Sequence, residues 1–251
     1  MADRKLFEKK GKEGKKIIKE KSKFMTLLGK AWHFIWYDDS ALSWIVNILL
    51  AYVLIKFIVY PGLGLLLGTN YPIVAVVSNS MEHRTADECA DRNIVADCLR
   101  YSYTICGRSY DQSMKFSSSE FWDACGDYYM SLNITKSEFE DYSFAGGFNK
   151  GDIMLLIGKK PDDIHVGDVI VFQSKKPYPI IHRVIKKEEM GMWVFETKGD
   201  HNPGQIRDFE LDETRVLEKQ LLGKAVIRIP WLGYVKIWFV ELLKLAGVGG
   251  V

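Results

Sequence analysis

The chain has 251 residues, 47% hydrophobic and 26% charged, with a formal net charge of +2. That length holds one domain of roughly 150 to 200 residues plus an anchor, and excludes a string of large domains. Near-neutrality excludes a uniformly basic chain, and no nucleic-acid partner is expected. It also hides an asymmetry: residues 1–30 carry eleven Lys/Arg against four Asp/Glu, whereas residues 84–147 carry six against eleven.

The basic N-terminal stretch, residues 1–40, reads as a solvated tail. It precedes an apolar run, Ala41 to Leu67, that exceeds the ~20 residues a helix needs to cross a bilayer. By the positive-inside rule the tail lies in the cytoplasm and everything after Tyr60 lies outside. Asp39 and Ser40 are candidate N-caps, and Pro61-Gly62 is expected to end the regular helix, so the predicted span is Leu42 to Tyr60 within an anchor and juxtamembrane segment, 41–68. A cleavable signal peptide is the competing reading. The long basic region before it, with no A-x-A-like site after it, favours a retained anchor.

Beyond the anchor, Ile73 to Val77 gives a short strand signal that runs into Ser78-Asn79-Ser80-Met81. Residues 84–147 then turn acidic and aromatic and hold all four cysteines, Cys89, Cys98, Cys106 and Cys125. An even number in a short exterior segment reads as two disulfides. Zinc is the alternative, but no Cys-x-x-Cys or nearby His pair supports it. Ser117-x-x-Glu120 and Thr135-x-x-Glu138 are helix-start signals, and Asn133-Ile134-Thr135 is a glycosylation sequon. The segment reads as a partly helical, disulfide-rich insert.

From Gly151 the pattern is β. Ile153–Ile157, Asp168–Phe172, Ile180–Ile185, Met192–Thr197 and Lys224–Ile229 are short apolar runs with close connections, which predict antiparallel pairing. The expected fold is therefore mainly β: a transmembrane helix, then an antiparallel β domain (69–83 and 148–230) interrupted by the insert. Residues 231–251 are apolar with Lys236, Glu241 and Lys244 on one helical face, which favours an amphipathic interfacial helix over a second crossing.

Few residues could carry chemistry. Ser80 stands at a strand end just beyond the bilayer, and a serine hydroxyl needs an adjacent base. Among five histidines, His182 alone sits within an apolar β run, Ile180-Ile181-His182-Arg183-Val184-Ile185. Asp200 and Asp208 are the candidate third groups, although an Asx-turn aspartate explains such a position equally well. No Gly-x-Ser-x-Gly, Walker or His-Glu-x-x-His motif is present.

Together these residues resemble a family. Val77-Ser78-Asn79-Ser80-Met81-Glu82 resembles the Ser-Gly-Ser-Met-Glu box of type I signal peptidases. Gly151-Asp152-Ile153, Gly167-Asp168-Val169-Ile170-Val171-Phe172, His182-Arg183-Val184, Thr197-Lys198-Gly199-Asp200-x-Asn202 and Ile229-Pro230-Trp231-Leu232-Gly233 follow in the family's order, over roughly 41–83 and 148–234. Histidine in place of the bacterial lysine resembles the archaeal and endoplasmic-reticulum (Ser/His) branch. The resemblance implies a membrane-bound serine endopeptidase that removes signal peptides from exported preproteins, with Ser80 as nucleophile and His182 as general base. It implies Asp208 as the orienting acid with Asp200 supporting, and the Ser80 N–H with the Ser78 hydroxyl as oxyanion hole. It implies no metal or organic cofactor, and as partners preproteins, the bilayer, and signal peptidase complex subunits or a translocon. The membrane is that of the cell or the endoplasmic reticulum. Asn79 replaces the family's glycine, the Asp200–Asp208 spacing is about two residues longer than usual, and the insert replaces a shorter link. Another membrane-anchored processing peptidase, and a non-catalytic receptor or adhesin that binds through the insert, are the alternatives.

Overall fold

The structure, a computed structural model, describes residues 23, 25–27, 29–87, 103–234 and 238, and divides after Gly62 into two units. In the first, helix α1 (Ala41–Leu54) starts at Ser40, whose Oγ accepts from the Ser43 N–H at 3.2 Å. Two side-chain donors in this apolar stretch find partners: the Ser43 hydroxyl and the Asn47 Nδ2 donate to the carbonyls of Phe34 and Ile35. Trp44, Ile48, Leu49 and Tyr52 remain exposed. A helix apolar on all sides and uncovered by protein matches a lipid solvent, not a water-facing or core position.

The helix does not stop at Pro61. A π-helical turn, Ile55–Val59, leads into α2 (Tyr60–Leu67), so the apolar helix runs Ala41–Leu67, 27 residues. The Tyr60 N–H bonds back to the Ile55 carbonyl, one residue further than in an α-helix. That slip in register comes immediately before the residue with no N–H to give, so the proline is absorbed without a break. At 1.5 Å per residue the helix is about 40 Å long, enough to cross a hydrocarbon core of about 30 Å. This supports a single-pass membrane protein.

The second unit is built on a seven-stranded sheet. Its strands are β1 (Ile73–Ala75), β5 (Ile153–Ile157), β6 (Val169–Phe172), β7 (Ile180–Glu189), β8 (Trp193–Lys198), β9 (Val216–Leu217) and β10 (Leu221–Ile229). The order is β1-β5-β10-β6-β7-β8-β9, every neighbour antiparallel. Strand β6 is buried throughout and shows why: Val169 and Val171 enter one core with Val76, Met81, Met154 and Leu156, while Ile170 and Phe172 enter the other with Val184 and Phe195. The five predicted strands are all present, with β7 and β10 longer than the apolar runs that announced them.

The insert carries a small sheet, β2 (Ala86–Asp87), β3 (Tyr103–Ile105) and β4 (Arg108–Tyr110), and two helices, α3 (Ser118–Met130) and α4 (Lys136–Glu140). Both predicted capping boxes form, Ser117 with Glu120 and Thr135 with Glu138. Cys106 and Gly107 join β3 to β4 with φ of +52° and +76°, the pair of left-handed conformations a two-residue hairpin turn needs. A disulfide joins Cys106 to Cys125 on α3. Cys89 and Cys98 lie outside the described residues, as does most of the predicted C-terminal helix. Phe121, Trp122, Tyr129, Ile134 and Phe139 close a core that also takes in Ile185 of β7.

Candidate active site

Strand β1 ends where Val76 exchanges backbone hydrogen bonds with the Gly151–Asp152 loop, and the chain then turns through Asn79, whose carbonyl accepts from the Glu82 N–H at 2.9 Å. Among the described residues the non-glycine positive φ values fall at Cys106, Asn133, Phe144 and Trp231. Asn79 is not one of them, so this turn needs no glycine. Ser80 Oγ comes to 3.1 Å from Ser78 Oγ and 2.8 Å from Nε2 of His182.

His182 is 3% exposed in β7, opposite Ile170 of β6, which fixes the direction of its ring. Its Nδ1 lies 2.5 Å from Oε1 of Glu213, a fully buried carboxylate. Glu213 is itself held: Oε1 accepts from the Thr197 hydroxyl at 3.2 Å and Oε2 from the Ile206 N–H at 2.6 Å. Gly199 passes close behind, where an added Cβ would sit 2.8 Å from the Ser80 carbonyl oxygen and 2.9 Å from His182 Nε2. Any side chain there would push serine and histidine apart.

The sequence-predicted acids lie elsewhere. Asp208 does not reach His182. It closes its own turn, Oδ1 accepting from the N–H groups of Glu210 and Leu211 at 2.8 and 2.7 Å, and those bonds hold its carboxyl below the usual range. Asp200 is fully buried but engaged with other partners: Arg183 Nε and Nη2 donate at 2.9 and 2.7 Å, the Tyr129 hydroxyl donates at 2.9 Å, and His83 Nε2 lies at 3.1 Å. Burial pushes its carboxyl up, but the Arg183 charge with the His83 and Arg183 hydrogen bonds outweighs burial and holds it well below the ordinary value. Glu213 stands where Asp208 was expected, and the sequence reading missed it. The signal was the lengthened spacing after Asp200, which shifts the acid's register along the chain.

Ser80 and His182 open onto a cleft of about 120 Å³ walled by Val74, Ala75, Val77, Tyr178, Ile181 and Leu211. Lys198, buried behind the site, donates to the carbonyls of Gly199 and Asp200 at 3.0 and 3.2 Å. Burial lowers its pKa to about 8, with Asp200 and Glu213 offsetting part of the shift.

No protein-family model matches the chain. Individual proteins do. The chain is 33% identical over 113 residues to the signal peptidase complex catalytic subunit SEC11 of Colletotrichum graminicola, covering 43% of this chain and 66% of that one. With SEC11 of Lachancea thermotolerans it shares 36% over 107 residues, covering 39% and 62%; with human SEC11C, 35% over 99 residues, covering 38% and 52%. This similarity supports the signal-peptidase family. The matches span 52% to 66% of the length of these curated relatives. With the long apolar helix, they support a membrane protein of serine-peptidase type.

Proposed function

We propose that the chain is a membrane-bound signal peptidase of the Ser/His branch, cutting signal peptides from exported preproteins with Ser80, His182 and Glu213 as its catalytic residues. One observation carries the reading: an unbroken line of hydrogen bonds from Glu213 through both His182 nitrogens to Ser80 Oγ, ending in a small apolar cleft. Ser80 Oγ attacks the scissile carbonyl carbon while its proton passes to His182 Nε2. Glu213 fixes the ring with Nδ1 protonated and stabilises the imidazolium that forms. This is the role the family resemblance implied for Asp208; Asp200 takes a structural one. The Ser80 N–H and the Ser78 hydroxyl receive the oxyanion. The tetrahedral adduct collapses to an acyl-enzyme as His182 returns its proton to the leaving amine, and water, deprotonated by the same ring, releases Ser80.

A cleft of this size, walled largely by apolar side chains, admits small residues next to the scissile bond. The basic N-terminus lies in the cytoplasm and the β domain outside. Substrates, bilayer, and complex subunits or a translocon are the partners of this reading.

The test is purified full-length protein in liposomes, given a preprotein beside Ser80→Ala and His182→Ala. Either substitution is expected to lower the rate by about 10³-fold or more. Undiminished cleavage by Ser80→Ala would sink the mechanism. Ser80-dependent activity confined to substrates without a signal helix would replace the substrate class and keep the triad.

A further inference from the structure

The insert takes no part in the mechanism above, yet its contacts converge on the loop behind the nucleophile. The His201 N–H donates to the Ser80 carbonyl at 2.9 Å, and the His201 carbonyl accepts from the Cys106 N–H at 2.9 Å. A single residue therefore connects the insert's hairpin turn to the backbone of Ser80. One step earlier in the chain, Asp200 accepts the Tyr129 hydroxyl from α3. Its partner Arg183, next to His182, sends Nη1 to the Ser143 carbonyl at 2.8 Å and Nη2 to the Phe144 carbonyl at 2.9 Å. Phe144 holds φ at +58°, a conformation a bulky residue rarely adopts, while presenting that carbonyl. The His83 ring, also on Asp200, stacks on Phe121 of α3 at 3.5 Å. The Cys106–Cys125 disulfide ties the hairpin to the helix that carries Tyr129 and Phe121.

These contacts have a common consequence. Arg183 and Asp200 are both fully buried, and a buried ion pair is tolerated only when its remaining donors and acceptors are satisfied. Insert residues satisfy two guanidinium donors and one carboxylate oxygen. The pair in turn flanks His182 on β7 and Gly199 against the Ser80 carbonyl.

We infer that the insert is a built-in brace for the catalytic loop, with Tyr129 as a positioning residue that acts through Asp200 on the Ser80–His182 geometry. This rests on the reading of Ser80 as nucleophile. A brace acts on the chemical step and leaves substrate affinity alone, because no insert residue named here lines the cleft.

The experiment compares the full-length protein in detergent with Tyr129→Phe, which keeps the ring and removes one hydroxyl. Ile134→Val is the control, loosening the same insert core without touching the loop. Two rates are read: cleavage of a signal-peptide substrate, resolved into kcat and KM, and labelling of Ser80 by a fluorophosphonate. Tyr129→Phe is expected to lower kcat and labelling about tenfold, with KM within about twofold of wild type and the control unchanged. Wild-type rates in Tyr129→Phe, a defect in KM alone, or a loss that the control shares in proportion to its fall in Tm would overturn the brace. Wild-type protein that is labelled but leaves the signal-peptide substrate intact would refute the signal-peptidase reading, and the labelling rates would still decide the brace. Wild-type protein that neither cleaves the substrate nor takes the label overturns both; where it cleaves but resists the label, kcat and KM decide the brace.

Discussion

Two fully buried carboxylates, Asp200 and Glu213, face different surroundings. Asp200 meets a guanidinium, a phenol and an imidazole that between them occupy both oxygens. Glu213 meets a hydroxyl, a backbone N–H and one imidazole nitrogen, and among the described residues no Arg or Lys forms a salt bridge with it. Burial and acidity are common to both; what separates them is the partner set. An acid saturated by a permanent cation has little left to give a histidine whose charge comes and goes. An acid held by neutral donors can respond to it.

The largest expected effect breaks this comparison at Glu213. Glu213→Gln should lower kcat by about 10³- to 10⁴-fold, since the amide misorients the ring or favours its wrong tautomer, while Asp208→Asn should stay within about twofold. Parallel kinetics on the two variants check it; an inactive Asp208→Asn beside an active Glu213→Gln would restore the sequence-based assignment. Next comes Asp200→Asn, which strands the Arg183 charge in a dry interior. It should cost about 3–5 kcal/mol of stability, read from the urea midpoint, and the surviving folded fraction should react with a serine-directed probe at least about tenfold more slowly than wild type, because the brace acts through Asp200.

The smallest effect is a pH dependence at Lys198. Its folded-state pKa, about 8, lies below the ordinary 10.5, so between those values the unfolded chain binds the extra proton and stability rises with pH. The stability of wild type relative to Lys198→Met should therefore climb from pH 8 to 10.5, by at most about 1.4 kcal/mol per pH unit. A flat difference would mean that Lys198 ionises as it does in water.

Much of the fold was legible because its signals are local. The five longer strands from Ile153 onward show as apolar runs, and the α3 and α4 starts show as capping boxes, since a cap involves only the first turn. Pro61 misled because its disruption is local too, whereas its remedy, the π-helical turn Ile55–Val59, leaves no mark in composition. Strands β2 to β4 and β9 were missed: at two or three residues each they have no period to detect. Ser80 and His182 stood out as a serine at a strand end and a charged ring in an apolar strand, and the structure puts their side chains in contact.

By itself the sequence determined the long apolar helix, the antiparallel sheet, and the serine and histidine that meet within it. Each helix, strand and candidate residue among these is signalled by residue type and spacing over fewer than thirty positions. Only the tertiary structure decided which acid faces the histidine and what the insert touches. Those outcomes depend on how the 200–213 excursion returns to β8 and how α3 packs over Asp200. Such contacts form between segments far apart in the chain, and their partners are chosen by burial and hydrogen-bond satisfaction in three dimensions.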